Sequence, residues 1–167
     1  MLKNLIHQIK RRKYKFDRIG ISTAGQVDMK KGKIPFANEN IPNYTDTALK
    51  DIFEETFNTP VKVINDVNAA ALGETHFGGG SKVNDFLCVT YGTGIGGAIV
   101  RNRQVYVGEN GLAGEVGHML LYPEGRSCNC GLKGCYEQYA STTALVREAQ
   151  KINKIIKMGE QYLNICK

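Results

Sequence analysis

The sequence predicts an α/β protein, because short strand-like and helix-like segments alternate along its 167 residues. Hydrophobic residues make up 42% of the chain and charged residues 23%, a balance that supports a folded core and argues against disorder. No apolar run approaches the roughly 20 residues that span a bilayer, and residues 1–18 lack the apolar centre of a signal peptide. We therefore expect a cytoplasmic protein without a membrane partner.

The first segments are predicted to form a helix, a strand and a hairpin. Residues 17–22 look like a strand, and residues 26–36 look like a hairpin that turns at Lys31 and Gly32. Before them, the opening helix has an apolar stripe made of Leu2, Leu5, Ile6 and Ile9.

The next segments are predicted to be a helix, a strand and a second helix. Thr45 or Asp46 can cap the first of these helices. Pro60 closes its connection to a buried strand over residues 61–64, and an Ala-rich helix follows over residues 67–77. The buried side of the capped helix would consist of Leu49, Ile52, Phe53 and Phe57.

A Gly-Gly-Gly-Ser run at residues 78–81 is the best candidate for a linker, because three glycines neither pack a core face nor favour a helix. We place a boundary there, between a first lobe of residues 1–78 and a second lobe of residues 79–167. Residues 83–91 and 95–101 then form two strand-like runs around a glycine-rich turn. A final helix, capped by Ser141, would have one apolar side made of Leu145, Ala149, Ile152, Ile155 and Ile156.

The net charge of +6 comes entirely from the amino-terminal end of the chain. Residues 1–18 contain seven basic residues and one acidic residue, which leaves the remainder balanced at fifteen of each. The simplest interpretation is a solvated helix face and its exit turn. A nucleic-acid-binding arm is the less favoured alternative.

Three cysteines and a histidine carry the strongest chemical signal. Cys128, Cys130 and Cys135 lie within eight positions, and His118 precedes them. Three thiolates and one imidazole complete a tetrahedral zinc shell, and two glycines in the loop allow it to fold back on itself. A closed shell leaves no position for an activated water, so the zinc would be structural. Reduced cysteines without a metal are the alternative.

An Asn-Asp pair ends the strand predicted at residues 61–64. Ligands bind at the carboxyl ends of strands in open α/β sheets, where Asp66 could accept a proton from a hydroxyl nucleophile. Asp66 could equally cap the following helix, which is the better interpretation of this segment by itself.

Gly92, Thr93 and Gly94 form a turn whose backbone N–H groups and hydroxyl could contact a phosphate. A plain tight turn explains the same residues. The Walker lysine motif is missing, and the run enters a strand rather than a helix, so neither a P-loop nor a dinucleotide-binding motif is predicted.

Two carboxylates, Glu115 and Glu137, lie beside the candidate metal ligands. A zinc ion that joins the two segments would bring the carboxylates close together, where they could bind sugar hydroxyls through charge-assisted hydrogen bonds. Solvent exposure without a ligand is the alternative, and both interpretations remain open.

The order and spacing of six blocks resemble the ROK family of repressors, open reading frames and kinases, within the actin and hexokinase superfamily. The resemblance covers nearly the whole chain from residue 17 onward. It implies an actin-like, ribonuclease H-like ATPase fold, present here as two partial lobes, with a sugar and ATP meeting in the cleft. The matching blocks are residues 20–28, 40–42, 65–74, 92–97, 114–118 and 128–137.

The resemblance also implies a role for each candidate residue. Asp66 would be the general base that activates a sugar hydroxyl for attack on the γ-phosphate of ATP, which is bound with Mg²⁺. Gly92, Thr93 and Gly94 would lie against the nucleotide phosphates. Sugar hydroxyls would be bound by Gly25, Asn40, Asn65, Glu115, His118 and Glu137. The structural Zn²⁺ would be bound by His118, Cys128, Cys130 and Cys135.

The sequence also departs from the family pattern. It has no Asp-x-Gly-Gly-Thr strand to handle phosphate and magnesium, and it stops after one helix of the second lobe, so it looks truncated at both ends. Too few residues precede the first strand for a helix-turn-helix. We expect part of a kinase for glucose or an N-acetylhexosamine. A non-catalytic sugar-binding or transcription-regulatory protein and an inert zinc-held fragment are the alternatives, and a homodimer stays open.

Overall fold

The computed structural model describes residues 2–37 and 41–152. Three residues named above, Asn40, Ile155 and Ile156, lie outside these ranges. None of the helices in the described ranges is long and apolar enough to cross a membrane.

The first region of the chain contains a parallel strand pair and a hairpin. Helix α1 spans Leu2–Arg11, and strand β1 (Ile19–Thr23) pairs in parallel with β4 (Val61–Asn65). The predicted hairpin is confirmed as β2 (Gln26–Asp28) and β3 (Lys33–Phe36) in antiparallel pairing. The carboxylate of Asp28 closes its turn by accepting hydrogen bonds from the backbone N–H groups of Lys30 and Lys31, both at 3.0 Å.

Helix α2 (Leu49–Phe57) forms where the spacing predicted it, but its predicted caps are wrong. Its N-cap is Ala48, which makes no side-chain capping bond. The Thr45 hydroxyl instead accepts from the N–H of Ala37 at 3.0 Å, and Asp46 pairs with the ammonium of Lys33 at 2.8 Å. Both candidate caps therefore attach the segment before α2 to β3 and to the residue that follows it.

One apolar core joins α2, the hairpin and the parallel pair. Leu2, Ile6 and Ile9 of α1 pack against this core, whereas Leu5, predicted to share their stripe, remains 48% exposed. The buried members of the core are Val27, Ile34, Leu49, Phe53, Val61 and Val63.

Helix α3 (Asp66–Phe77) packs on a second sheet with the order β5-β6-β7. Strands β5 (Phe86–Tyr91) and β6 (Ile95–Arg101) confirm the predicted hairpin, and the short β7 (Gln104–Tyr106) was not predicted. The sheet is antiparallel throughout. Ala71 of α3 is buried against Ala98 and Val100 of β6.

The glycine run between α3 and β5 is packed rather than free. It forms a short 3₁₀ turn over Gly79–Lys82, and Gly80 is buried so closely that a Cβ there would lie 2.6 Å from the Phe86 ring. The Arg103 guanidinium donates to the carbonyls of Ser81 and Thr75, both at 2.8 Å. The division of the chain into lobes at this run stays a prediction.

The last region is loop-rich, with a 3₁₀ turn at Val116–His118, a short helix α4 (Glu137–Ala140) and α5 (Thr142–Ile152). Ser141 caps α5 as predicted, since its hydroxyl accepts from the N–H of Ala144 at 3.1 Å. The predicted apolar side is wrong: Leu145 and Ile152 are 62% and 91% exposed, while Ala144 and Val146 are buried. Among the described residues, α5 begins against the glycine turn and packs on α4, and no described element covers Leu145 or Ile152.

Candidate functional site

The junction between β4 and α3 is organised by the amide of Asn65. Its Oδ1 accepts hydrogen bonds from the N–H groups of Val67 at 2.9 Å and Asn68 at 3.2 Å, which makes Asn65 the N-cap of α3. Its Nδ2 donates to the carbonyl of Gly25 at 3.2 Å. The cap is thus Asn65 rather than Asp66, and the Asn65 side chain also fixes the loop that follows β1.

Asp66 is the first residue of α3 and is exposed. Its Oδ1 accepts from the N–H of Val67 at 3.0 Å. The carboxylate therefore lies at the carboxyl end of a parallel strand and at the first turn of a helix, accessible to a ligand.

A small cleft opens beside this junction, with an enclosed space of about 10 Å³, which holds about one water-sized group. It brings together three of the predicted sugar-binding residues, namely Gly25, Asn65 and Glu115. Asp66, His118 and Glu137 are not in its wall. The wall also contains a residue that the sequence reasoning missed, Asn68, whose only signal was its polarity within an Ala-rich helix. The other wall residues are Gln26, Val27, Gly97, Gly111 and Ala113.

The four predicted metal ligands converge. Their ligand atoms all lie within 4.8 Å of one another. The Cys128 Sγ is 3.7 Å from the His118 Nδ1, and the Cys130 Sγ is 3.6 Å from the Cys135 Sγ. Tetrahedral zinc with bonds of about 2.3 Å to sulfur and 2.0 Å to nitrogen requires separations of about 3.6–3.8 Å. The donor set therefore fits zinc.

Backbone turns bring the three thiols together. The N–H of Cys128 donates to the carbonyl of Leu132 at 2.8 Å, and the N–H of Gly131 donates back to the carbonyl of Cys128 at 3.0 Å. Gly131 and Gly134 have φ angles of +91° and +79°, which residues with a Cβ rarely adopt. The two glycines therefore serve the fold-back that their positions predicted.

The crowded thiols hold their protons differently. Burial raises the pKa of Cys128, and burial together with the neighbouring Cys130 and Cys128 raises the pKa of Cys135 to about 12. At Cys130 burial acts in the same direction, but hydrogen bonds from the Leu132 N–H and the two other thiols prevail and lower its pKa. Three thiolates cannot coexist at this distance without a cation, which is the role a bound metal fills.

Two carboxylates flank the imidazole of His118. Its Nε2 is 4.0 Å from the Oε2 of Glu115, and its Nδ1 is 4.0 Å from the Oε1 of Glu137. The same Glu137 oxygen accepts from the thiol of Cys128 at 3.3 Å. The histidine thus faces the cysteines with one nitrogen and Glu115, a cleft residue, with the other.

Glu137 also reaches the glycine turn between β5 and β6. Its Oε2 accepts from the N–H of Ile95 at 3.3 Å, and a Cβ on Gly94 would lie 2.5 Å from that oxygen. Tyr91, at the end of β5, pairs with the residue before α4: its hydroxyl lies 2.8 Å from the hydroxyl of Tyr136.

Helix α5 holds the tip of the same turn. The N–H of Thr142 donates to the carbonyl of Gly92 at 2.9 Å, and the hydroxyl of Thr143 donates to the carbonyl of Thr93 at 2.7 Å. Gly92 and Thr93 themselves are exposed. Residues 136–143, which directly follow the ligand Cys135, therefore clamp the turn from both sides.

Arg126 anchors the cysteine loop, residues 118–136, to helices α4 and α5. Sequence reasoning missed this role. Its guanidinium donates to the carbonyl of Gln138 at 2.9 Å and to the carboxylate of Glu148, and it lies over the ring of Tyr139, 4.6 Å from the centroid. The Tyr139 hydroxyl in turn accepts from the backbone N–H of Arg126 at 2.8 Å.

Comparison with known proteins identifies the family. The ROK family profile matches residues 1–164. The chain is 44% identical over 133 residues to a glucokinase of Streptomyces coelicolor, covering 80% of this chain and 41% of that protein. It is 37% identical over 154 residues to the xylose repressor of Bacillus spizizenii, covering 92% of this chain and 39% of that protein. The chain thus spans about two fifths of the length of these relatives.

A solved structure gives the same result. The ROK family glucokinase from Streptomyces griseus, in complex with glucose and AMPPNP, superposes with a TM-score of 0.77 at 40% identity, covering 89% of this chain and 49% of that one. The solved ROK hexokinases have the actin-like ATPase fold, and this chain has about half of it. With the family profile matching almost every residue, the chain belongs to the ROK family.

Proposed function

We propose that this chain forms the sugar-binding part of an ATP-dependent hexose kinase, acting in the cytoplasm on glucose or an N-acetylhexosamine. The observation that carries the proposal is the cleft that joins Gly25, Asn65 and Glu115 at the carboxyl end of β4. The kinship with glucokinases, one of them solved with glucose and AMPPNP, supports the same substrates.

Hydrogen-bonding capacity supports a polyhydroxyl ligand at the mouth of this cleft. Both lone pairs of the Asn65 Oδ1 accept from α3, and one hydrogen of its Nδ2 is donated to Gly25. One N–H of the Asn65 amide is left to donate to a sugar oxygen, while the Glu115 carboxylate only accepts. A hydroxyl can both donate and accept, so a sugar satisfies both groups.

Asp66 is proposed as the general base. Its exposed carboxylate would accept the proton of the attacking hydroxyl as the sugar oxygen bonds to the γ-phosphorus of ATP. Gly92, Thr93 and Gly94 would approach the phosphates closely, since small residues and exposed backbone allow such an approach. Mg²⁺ bound with ATP neutralises phosphate charge in reactions of this class.

The structural metal is proposed to be one zinc ion held by His118, Cys128, Cys130 and Cys135. The Nδ1 of His118 would ligate the metal, which leaves its Nε2 beside Glu115 free to meet a sugar hydroxyl. Zinc supplies a fixed crosslink here and no catalytic water. The chain's own Arg126 and Glu137 then transmit that fixed position to α4 and the glycine turn.

Calorimetric titration of the chain with glucose and N-acetylmannosamine tests the sugar site. We expect binding, weakened about tenfold in a Glu115→Gln variant because a charge-assisted hydrogen bond is lost. Glu109→Gln, an equally conservative change at an exposed glutamate outside the cleft wall, should bind like the unmodified chain. Absence of binding to any hexose would overturn the proposed function.

The base is tested separately in the kinase assembled with its remaining segments. Asp66→Asn keeps the shape and the hydrogen bond to Val67 but cannot accept the proton, so turnover should fall about 10²-fold with hexose affinity unchanged. Near-normal turnover would show that Asp66 acts only on the helix.

A second candidate function is a sugar-responsive transcriptional regulator. It is favoured by the 37% identity to a xylose repressor over 92% of this chain. A regulator would bind sugar without turnover, so an ADP-release assay on the assembled protein separates it from a kinase.

A further inference from the structure

Asn68 lies three residues after the cap of α3 and has no role in the site described so far. It is only 8% exposed, and its side-chain Oδ1 is buried without a hydrogen-bond partner among residues 2–37 and 41–152. Its backbone N–H, in contrast, is paired with Asn65. The residue is thus fixed by its backbone while its side-chain oxygen remains unsatisfied.

A buried polar atom without a partner is rare in native proteins, because it has lost its hydrogen bonds to water and gained none in exchange. The neighbouring positions Ala69, Ala70 and Ala71 show that this turn of α3 accommodates small apolar residues. An alanine at residue 68 would suit the helix and would remove the orphaned oxygen. Stability therefore does not explain the asparagine.

The position of Asn68 suggests what the side chain meets. It shares the wall of the cleft with Asn65, Glu115 and Gly25. The enclosed space of about 10 Å³ in this cleft is the size of one water, and a single hydroxyl of a ligand would fill it. Three amide residues, Gln26, Asn65 and Asn68, and the carboxylate of Glu115 border this small polar cleft. Together they are a donor and acceptor set that matches hydroxyls on one molecule.

We propose that Asn68 is a specificity residue whose side-chain Oδ1 accepts a hydrogen bond from one hydroxyl of the bound sugar. This inference rests on the proposed hexose site and adds one recognised hydroxyl to it. A site built to pair with a hydroxyl rejects analogues without it, because the protein group is then left unpaired. Asn68 would thus select among hexoses without taking part in proton or phosphoryl transfer.

The test is a calorimetric titration of glucose and its monodeoxy analogues into the unmodified chain and an Asn68→Ala variant. We expect the variant to bind glucose about tenfold or more weakly. For one deoxy analogue, which lacks the partner hydroxyl, variant and unmodified chain should bind equally.

Thr75→Val is the matched control on the same helix. It removes a buried hydroxyl that donates to the carbonyl of Ala71 at 2.8 Å and lies outside the cleft wall, so hexose affinity should not change. Thermal melting without sugar checks that each variant folds, and we expect Asn68→Ala to melt no lower than the unmodified chain.

The outcomes separate this inference from the proposed function. Failure of the unmodified chain to bind any hexose would overturn both. If the unmodified chain binds hexose and the Asn68→Ala variant binds it with equal affinity, the role of Asn68 alone would be overturned. That result would mean that a resident water satisfies the amide. An equal loss for every analogue, or a large fall in melting temperature, would show that Asn68 is structural.

Discussion

Two regions of this chain are stabilised in different ways. The first region, built from β1 to β4 with α1 and α2, has a continuous apolar core in which Ile34 and Leu49 are fully buried. The cysteine loop exposes its large apolar side chains instead: the exposed fractions of Met119, Leu120 and Leu132 are 60%, 64% and 64%. Hydrophobic burial therefore supports the first region and contributes little to the loop.

The loop has a different source of order. It has backbone hydrogen bonds such as the one from Gly134 to Arg126 at 2.8 Å, the anchor at Arg126 and four converged metal ligands. Because the clamp on the glycine turn begins directly after Cys135, order in the loop bears on the proposed phosphate contact as well. We propose that a metal crosslink at these four residues does in the loop what burial does in the core.

The largest effect is expected from removing one metal ligand. Cys135→Ser should lower the zinc content from one ion per chain to near zero, because the closed four-ligand shell is broken. Amide hydrogen exchange in residues 118–137 should then become fast, while β1 and β4 stay protected. Elemental analysis and exchange mass spectrometry measure the two effects.

Cys88→Ala is the matched control, since Cys88 lies in β5 and outside the metal-ligand cluster. It should keep its zinc. Full protection of the loop in metal-free Cys135→Ser would show that burial or backbone hydrogen bonds suffice there.

A cavity in the apolar core should destabilise the first region rather than the cysteine loop. Phe53 is 3% exposed and packs against Phe57 with ring centroids 5.8 Å apart, so Phe53→Ala should lower the free energy of unfolding by about 3–5 kcal/mol. Denaturant titration measures it. Ile152→Ala, at a residue 91% exposed, should change stability by less than about 0.5 kcal/mol. Comparable effects of the two changes would contradict the core assigned to the first region.

A smaller effect is expected at Glu137, which links the metal-ligand cluster to the glycine turn. Glu137→Ala removes the acceptor of the Ile95 N–H, so the exchange rate of that amide should rise about tenfold with zinc still bound. Glu124→Ala removes an exposed carboxylate that pairs only with Lys133 among the residues described, and should leave the glycine turn unchanged. An unaltered Ile95 amide in Glu137→Ala would break the proposed link.

The smallest effect concerns pH. Hydrogen bonds from Lys151 and then Arg126 lower the pKa of Glu148 below its usual 4.5. The stabilisation is therefore complete above about pH 4.5 and is lost as the pH falls through the lowered pKa. The melting temperature of Glu148→Gln should lie below that of the unmodified chain at pH 6, and the difference should vanish at low pH. A melting-temperature difference that grows as the pH falls would contradict the stabilising role of the ionised Glu148.

Local sequence signals predicted much of the fold and the metal site. The spacing of Cys128, Cys130 and Cys135 is a local property, and the structure brings these ligands together with His118. The hairpin turn at Gly32 was likewise found, since turn chemistry acts over a few residues. The strand–helix junction was placed correctly, but its cap is Asn65 and not the predicted Asp66.

The features that were missed depend on partners distant in sequence. Thr45 has good capping chemistry, but its hydroxyl bonds to the backbone of Ala37, just after β3. Leu145 has the spacing of a buried residue, but no described element covers it. Asn68 became visible only when the cleft placed it beside Glu115, which lies 47 positions away along the chain.

The central claim is that a metal-held cysteine loop completes a hexose site in this chain. Titration of glucose into the zinc-bound chain, repeated after zinc removal by a chelator, tests it most directly. We predict measurable binding with one zinc per chain, a loss of at least about tenfold after chelation, and recovery when zinc is returned. Equal hexose affinity with and without zinc would contradict the claim.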